Sequence, residues 1–247
     1  VTTARQDELA DNWAALQERL AVAARAAGRS PEDIELLPIT KFFPASDVAI
    51  LAGLGCRAFG ESRDQEARDK IESLSRDPDW PADVAWHMIG QIQRNKARSI
   101  AGWAHTVHSV STSKVAAALD RGAVDALAEG RRGAAVRVFV QISLDGDTSR
   151  GGVDIGDPAA VDELCGQVDA AEGLEFVGLM GIPPLGADPE QAFAALAAEH
   201  QRVQAMYPQR LGLSAGMTGD LEEAVKHGST CVRVGTALMG PRPLTSP

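Results

Sequence analysis

The stretch "LLPITKFFP", residues 36–44, runs Leu-Leu-Pro-Ile-Thr without polar alternation into Lys41, then two phenylalanines and a proline. A short continuous apolar run predicts a strand covered on both faces, as in a parallel sheet. Its end on a cation allows two readings. Lys41 marks the strand's exit into solvent, the commoner use of a lysine. Alternatively it sets a primary amine at the mouth of a buried strand, where a depressed pKa frees it for covalent chemistry.

Seven more such runs follow "IELLPIT" (34–40): "CRAFGE" (56–61), "AWHMIG" (85–90), "TVHSV" (106–110), "AVRVFVQIS" (135–143), "LEFVGLMG" (174–181), "RLGLSAG" (210–216) and "CVRVGTAL" (231–238). Seven helical segments separate them. Some carry start signals, such as "STSKVAAALD" and "GDPAAVDEL", where Asp157 reads as N-cap and Pro158 as the first helical residue. Ahead of the first run, Leu9, Trp13, Leu16 and Leu20 recur at helical spacing until Gly28 stops the helix. Eight buried strands joined by helices predict an α/β fold, a single (β/α)8 TIM barrel with an extra N-terminal helix. A doubly wound open sheet is the alternative, because periodicity does not report closure. No linker or low-complexity tract divides the chain. One domain is expected over 1–247, with a leading helix in 1–30 and the barrel in 34–241.

Composition narrows the function. The net charge of −10 argues against a nucleic-acid binder, which needs clustered Lys and Arg. Cys56, Cys165 and Cys231 are odd in number, widely spaced and free of any CxxC pattern, so neither a metal site nor a disulfide framework is expected. No stretch suits a membrane span or a signal peptide, and a cytoplasmic location is the expectation.

Barrel enzymes carry their sites at the C-terminal ends of the strands. Lys41 is at that end of the first run, Glu61 and Ser62 at the second, "SAGMTGD" (214–220) at the seventh and "VGTALMG" (234–240) at the eighth. Small residues after strands seven and eight, leading into a helix start near Thr218–Asp220, are where barrels commonly hold phosphate. Each glycine alone is more simply a turn residue. A lysine after strand one combined with a phosphate cradle points to pyridoxal 5′-phosphate (PLP), held as a lysine Schiff base. Arg233, inside the eighth run, points either into the barrel or outward. Three decoys remain. "DGDTSRGG" (145–152) has Gly156 where a calcium loop needs its bidentate Glu. His105 and His108 are three apart on a strand and face opposite sides. His87 reads more simply as a core histidine than as a pocket residue.

Taken together, "LLPITKFFPASDV", "FGESRDQEA", "WHMIGQIQRNK", "HSVSTSKVAAALD", "LMGIPP", "LSAGMTGDLEEAVKHGST" and "VRVGTALMG" resemble the pyridoxal phosphate homeostasis protein family (YggS/PROSC type) from about Leu36 to Pro241. The resemblance implies a barrel related to the N-terminal domain of alanine racemase, with the cofactor on Lys41. It implies phosphate contacts from Ser214, the backbone at Gly216 and Met217, and Gly235 with Thr236, and it implies that Arg233 faces the pyridine nitrogen. One departure is Ser62, where the family usually shows Asn. Two functions follow: PLP storage, buffering or delivery without turnover, with apo PLP-dependent enzymes as the candidate recipients, or a small PLP-dependent amino-acid racemase. The first is favoured. A racemase needs a second acid/base, and the single tyrosine, Tyr207, lies in a late helix leading toward the opposite face.

Overall fold

The computed structural model describes residues 3–241. Each apolar run contains a strand: β1 (Glu35–Pro38), β2 (Ala58–Glu61), β3 (Ala85–Met88), β4 (Thr106–Val110), β5 (Val136–Ser143), β7 (Leu174–Gly181), β8 (Gly212–Ser214) and β9 (Cys231–Val234). The two-residue β6 (Val153–Asp154) pairs with the end of β5 outside the ring, and no apolar run announces it. Pairing is parallel throughout, in the order β1-β9-β8-β7-β5-β4-β3-β2. The ring closes where Ile39 bridges Gly60, and the Thr40 N–H donates to Gly60 O at 3.0 Å. The fold is therefore a (β/α)8 barrel rather than an open sheet. The eighth run is a strand only to Val234. Gly235 (φ −115°, ψ −82°) turns the chain there into the short helix α9 (Thr236–Met239).

The seven connecting helices are α2 (Ala45–Gly53), α3 (Asp64–Leu74), α4 (Ala97–Trp103), α5 (Ser113–Ala128), α6 (Pro158–Asp169), α7 (Pro189–Gln204) and α8 (Leu221–Lys226). Local chemistry sets several of their starts. Asp157 accepts from the Ala160 N–H with Pro158 in the first turn, and Thr112 caps α5. Continuous strand hydrophobicity is explained by two apolar layers. Inside the barrel lie Leu37, Ile39 and Cys231 with Ala58 and Ile89, and separately Phe139, Val177 and Met180. Outside, residues such as Phe59, Val138, Leu179 and Val232 pack under the helices.

The leading helix α1 (Ala4–Ala26) begins with a capping box between Thr3 and Gln6 and buries Leu9, Leu16 and Leu20. Its polar residues fasten the chain that follows β8 and β9. Arg5 bonds Asp47 Oδ2 at 2.6 Å and Met239 O at 3.0 Å, and Asn12 bonds Leu238 O at 2.9 Å. Arg19 bonds Thr218 O at 2.7 Å and pairs with Glu222 at 2.6 Å. The extra helix thus anchors the two segments expected to cradle phosphate. Among the described residues, no helix is long and apolar enough to cross a membrane.

Candidate functional site

Lys41 stands just beyond β1, half-buried, with Nζ 5.8 Å from the Phe42 ring centroid. Sheet order brings the end of β9, with Gly235, to one side of it and the end of β2, with Ser62, to the other. Gly90 lets the β3 end approach Ser62: a Cβ there would lie 2.2 Å from Ser62 O. Lys41, Ser62 and Gly235 thus occupy neighbouring strand ends at one mouth of the barrel.

Deeper in the same mouth, Arg233 points inward and is 5% exposed. Its Nη1 donates to Ser214 Oγ at 2.5 Å and its Nη2 to Gly181 O at 3.1 Å. Burial lowers its pKa, and among the described residues no carboxylate pairs with it. Arginine nevertheless stays a cation and a donor only. A buried guanidinium with spare N–H groups calls for a further acceptor.

Ser214 is fully buried. Besides Arg233 it contacts His108 Nδ1 at 2.8 Å, and His108 Nε2 lies 2.9 Å from His87 Nδ1. Burial holds His87 down to about 3 and His108 well below its ordinary value, so both rings are neutral. A polar chain therefore runs down the barrel axis beneath Arg233. Sequence reasoning missed it because the serine and the histidines lie on different strands, 106 and 21 residues apart.

Gly216 adopts φ +90°, and a Cβ there would lie 2.5 Å from Ala224 Cβ, so only glycine fits. Its carbonyl accepts from Arg233 N at 3.0 Å, tying this turn to the arginine's strand. The Met217 N–H donates to Asp220 Oδ1 at 2.6 Å, and its side chain is 39% exposed. Gly235 precedes α9, and Thr236, exposed, opens it. No side chain caps that helix, so its leading N–H groups are available to an outside acceptor.

A second cluster that sequence reading missed lies behind the Lys41 turn and joins Thr40, Glu61, Glu66 and Lys70. Its only sequence signal, Glu66 four residues before Lys70, is indistinguishable from an ordinary surface pair. Tyr207 is remote from the mouth: its ring meets Phe176 at 5.0 Å near the start of β7. The 145–150 loop is closed on itself by Arg150 with Asp145 and Asp147. Among the described residues, no group of three or more His, Cys, Asp or Glu could hold a metal ion.

The donor set at this mouth comprises a primary amine, a buried guanidinium, hydroxyls and uncapped amide N–H groups. It suits a ligand made of acceptors and an electrophile. Comparison with known proteins agrees. The family model described as the alanine racemase N-terminal domain matches residues 6–243. The pyridoxal phosphate homeostasis protein of Mycobacterium bovis is 62% identical over 98% of this chain and 96% of its own. That of Escherichia coli is 33% identical over 96% and 97%. The structure of PipY from Synechococcus elongatus with PLP bound is similar at TM-score 0.76 and 31% identity, over 94% of this chain and all of that one. A Corynebacterium glutamicum alanine racemase shares the fold at TM-score 0.65 and 16% identity, with 60% of its length covered. By sequence over nearly its full length and by fold, the chain belongs to the pyridoxal phosphate homeostasis protein family.

Proposed function

We propose that this chain binds PLP at the C-terminal mouth of its barrel and serves the storage, buffering or delivery of that cofactor, with Lys41 as the covalent attachment point. The donor set carries the reading, in a chain 31% identical to a relative solved with PLP bound. The residues present fit the cofactor. The Lys41 amine suits its aldehyde; Thr236 and the N–H groups opening α9, beside the Gly216–Met217 turn, suit its phosphate; and Arg233 suits its ring nitrogen. When bound, PLP supplies that aldehyde and a ring that withdraws electrons.

Arg233 can face only an unprotonated nitrogen, because it has protons to give and none to accept. That choice weakens the ring as an electron sink. Ser214 acts here by holding Arg233, and the neutral histidines below it add no competing charge. Ser62 presents a hydroxyl at the rim where a longer amide is usual. Racemisation would require a second acid/base across the ring, and the chain's one tyrosine is at the other end of the barrel. Cys231 offers no substitute, since burial raises its thiol well above the ordinary value. We therefore favour a carrier over a racemase, acting as one domain over the whole chain. Its recipients would be apo PLP-dependent enzymes in the cytoplasm, where buried unpaired thiols persist.

The test loads the purified chain with PLP, removes free cofactor and mixes it with an apo PLP-dependent enzyme. Recovery of that enzyme's activity is expected. Single enantiomers of alanine and serine should keep their chirality under the same conditions. Racemisation at ordinary enzyme rates, a median of about 10 s⁻¹, would instead favour the racemase.

A further inference from the structure

The cluster behind the Lys41 turn lies on the outer side of the barrel wall, between β2 and α3. Lys70 is 7% exposed, and its ammonium donates to Thr40 O, Glu61 Oε1 and Glu66 Oε1, each at 2.8 Å. An ammonium has three protons, so all of them are used. Glu61 is fully buried; its Oε1 also accepts from Thr40 Oγ1 at 2.7 Å, while its Oε2 has no partner. Glu66 Oε1 accepts from the Phe42 N–H at 2.5 Å. The cluster therefore grips Thr40 and Phe42, the residues on either side of Lys41.

Phe42 is the one non-glycine residue among those described with a positive φ, +71°. Such a backbone persists only where its surroundings impose it. A buried ion cluster is weak support for stability in itself, because desolvation offsets much of the attraction. Here its hydrogen bonds land on the backbone of one turn. That turn carries the amine, and a flexible lysine stem magnifies a small backbone rotation into a large displacement of Nζ.

We propose that Lys70 and Glu66 are positioning residues: they hold the Thr40–Phe42 backbone so that Lys41 Nζ meets the cofactor's aldehyde, while the three bonds from Lys70 Nζ tie that nitrogen down away from the reaction. The proposal rests on the attachment reading above. Condensation at Lys41 Nζ forms a carbon–nitrogen double bond and releases the carbonyl oxygen as one water. The cluster exchanges no atoms in it.

The test compares Glu66→Gln, which keeps an acceptor for the Phe42 N–H, with Glu66→Ala, which removes it, and with Lys70→Met. Each full-length chain is mixed with PLP, quenched with borohydride at intervals and mapped for label on Lys41. Hydrogen exchange at the Phe42 amide is followed separately without cofactor. Glu66→Gln should label near the parental rate. Glu66→Ala and Lys70→Met should label more slowly by on the order of 10- to 100-fold, the scale of an ångström misplacement. They should also exchange the Phe42 amide faster, and Glu66→Ala carries the comparison if Lys70→Met does not fold. Parental labelling rates in Glu66→Ala, or label on Lys70, would overturn the proposal. If the parent itself labels no lysine, the attachment reading fails, and Phe42 exchange still decides the clamp: unchanged exchange in Glu66→Ala overturns it.

Discussion

Gly216 and Gly235 look alike in the sequence, each a small residue just past an apolar run, yet their surroundings dictate different responses to an added methyl group. At Gly216 the backbone sits at φ +90°, and a Cβ would lie 2.5 Å from Ala224 Cβ on α8. The left-handed conformation costs about 1–2 kcal/mol for a residue with a Cβ. Forcing a methyl into a packed neighbour adds about 1–3 kcal/mol. Gly216→Ala should therefore lose about 2–5 kcal/mol, which for a chain of this size lowers the melting temperature by about 4–20 °C. At Gly235, φ is −115° and the nearest atom to an added Cβ is Ile39 Cβ at 3.7 Å, an ordinary contact. Gly235→Ala should melt within a few tenths of a kcal/mol of the parent, as an unstrained change does. Thermal unfolding of both variants without cofactor is the assay. The double variant Gly216→Ala/Ala224→Gly should recover part of the loss, because it removes the crowding and leaves the backbone strain. Equal melting of the two single variants, or no coupling between Gly216 and Ala224, would show that the backbone at Gly216 is unstrained and its Cβ site uncrowded.

Other expectations follow from burial. Ser214→Ala leaves Arg233 Nη1 and His108 Nδ1 without a shared partner, so stability should fall by about 1–3 kcal/mol and PLP retention should weaken; unchanged melting and affinity would remove Ser214 from the site. Burial lifts the Cys56 and Cys165 thiols up to about 12 and Cys231 well above its ordinary value, so none should react with a thiol reagent until the chain is unfolded. Fast labelling of the native protein would contradict that. Burial holds His87 and His108 below 6.5, so the unfolded chain takes up their protons first. The contribution of His87 is complete above about pH 6.5 and is lost as pH falls toward about 3, at about 1.4 kcal/mol per pH unit, and that of His108 is lost in the same direction. Urea titrations over that window should show a flatter dependence in His87→Gln/His108→Gln than in the parent, and identical slopes would count against it.

The barrel is legible because its strands are covered on both faces and read as continuous apolar runs, even where β8 is only three residues long. Asp157–Pro158 marks a helix start by local chemistry alone. β6 escapes notice because two half-buried residues make no pattern. The position of Lys41 is legible for a similar reason, since a cation ending an apolar run marks a strand end. Which partners the site residues take is not. Ser214 reads as a phosphate ligand from its motif, but the side chain is shared between Arg233 and His108, a contact set by register between β4, β8 and β9. Nothing in the sequence marks Lys70 as buried, because its burial comes from the packing of α3 against the turn after β1. The positive φ of Phe42 leaves no trace in composition, because phenylalanine does not favour it.

Lys41 is the residue on which this chain is proposed to hold PLP. Borohydride reduction of the PLP-loaded protein followed by peptide mapping tests it directly. One pyridoxyl group is expected, on Lys41, with both the label and the visible absorption band absent from Lys41→Ala. Label on Lys70, Lys96 or Lys114, or an undiminished band in Lys41→Ala, would contradict it.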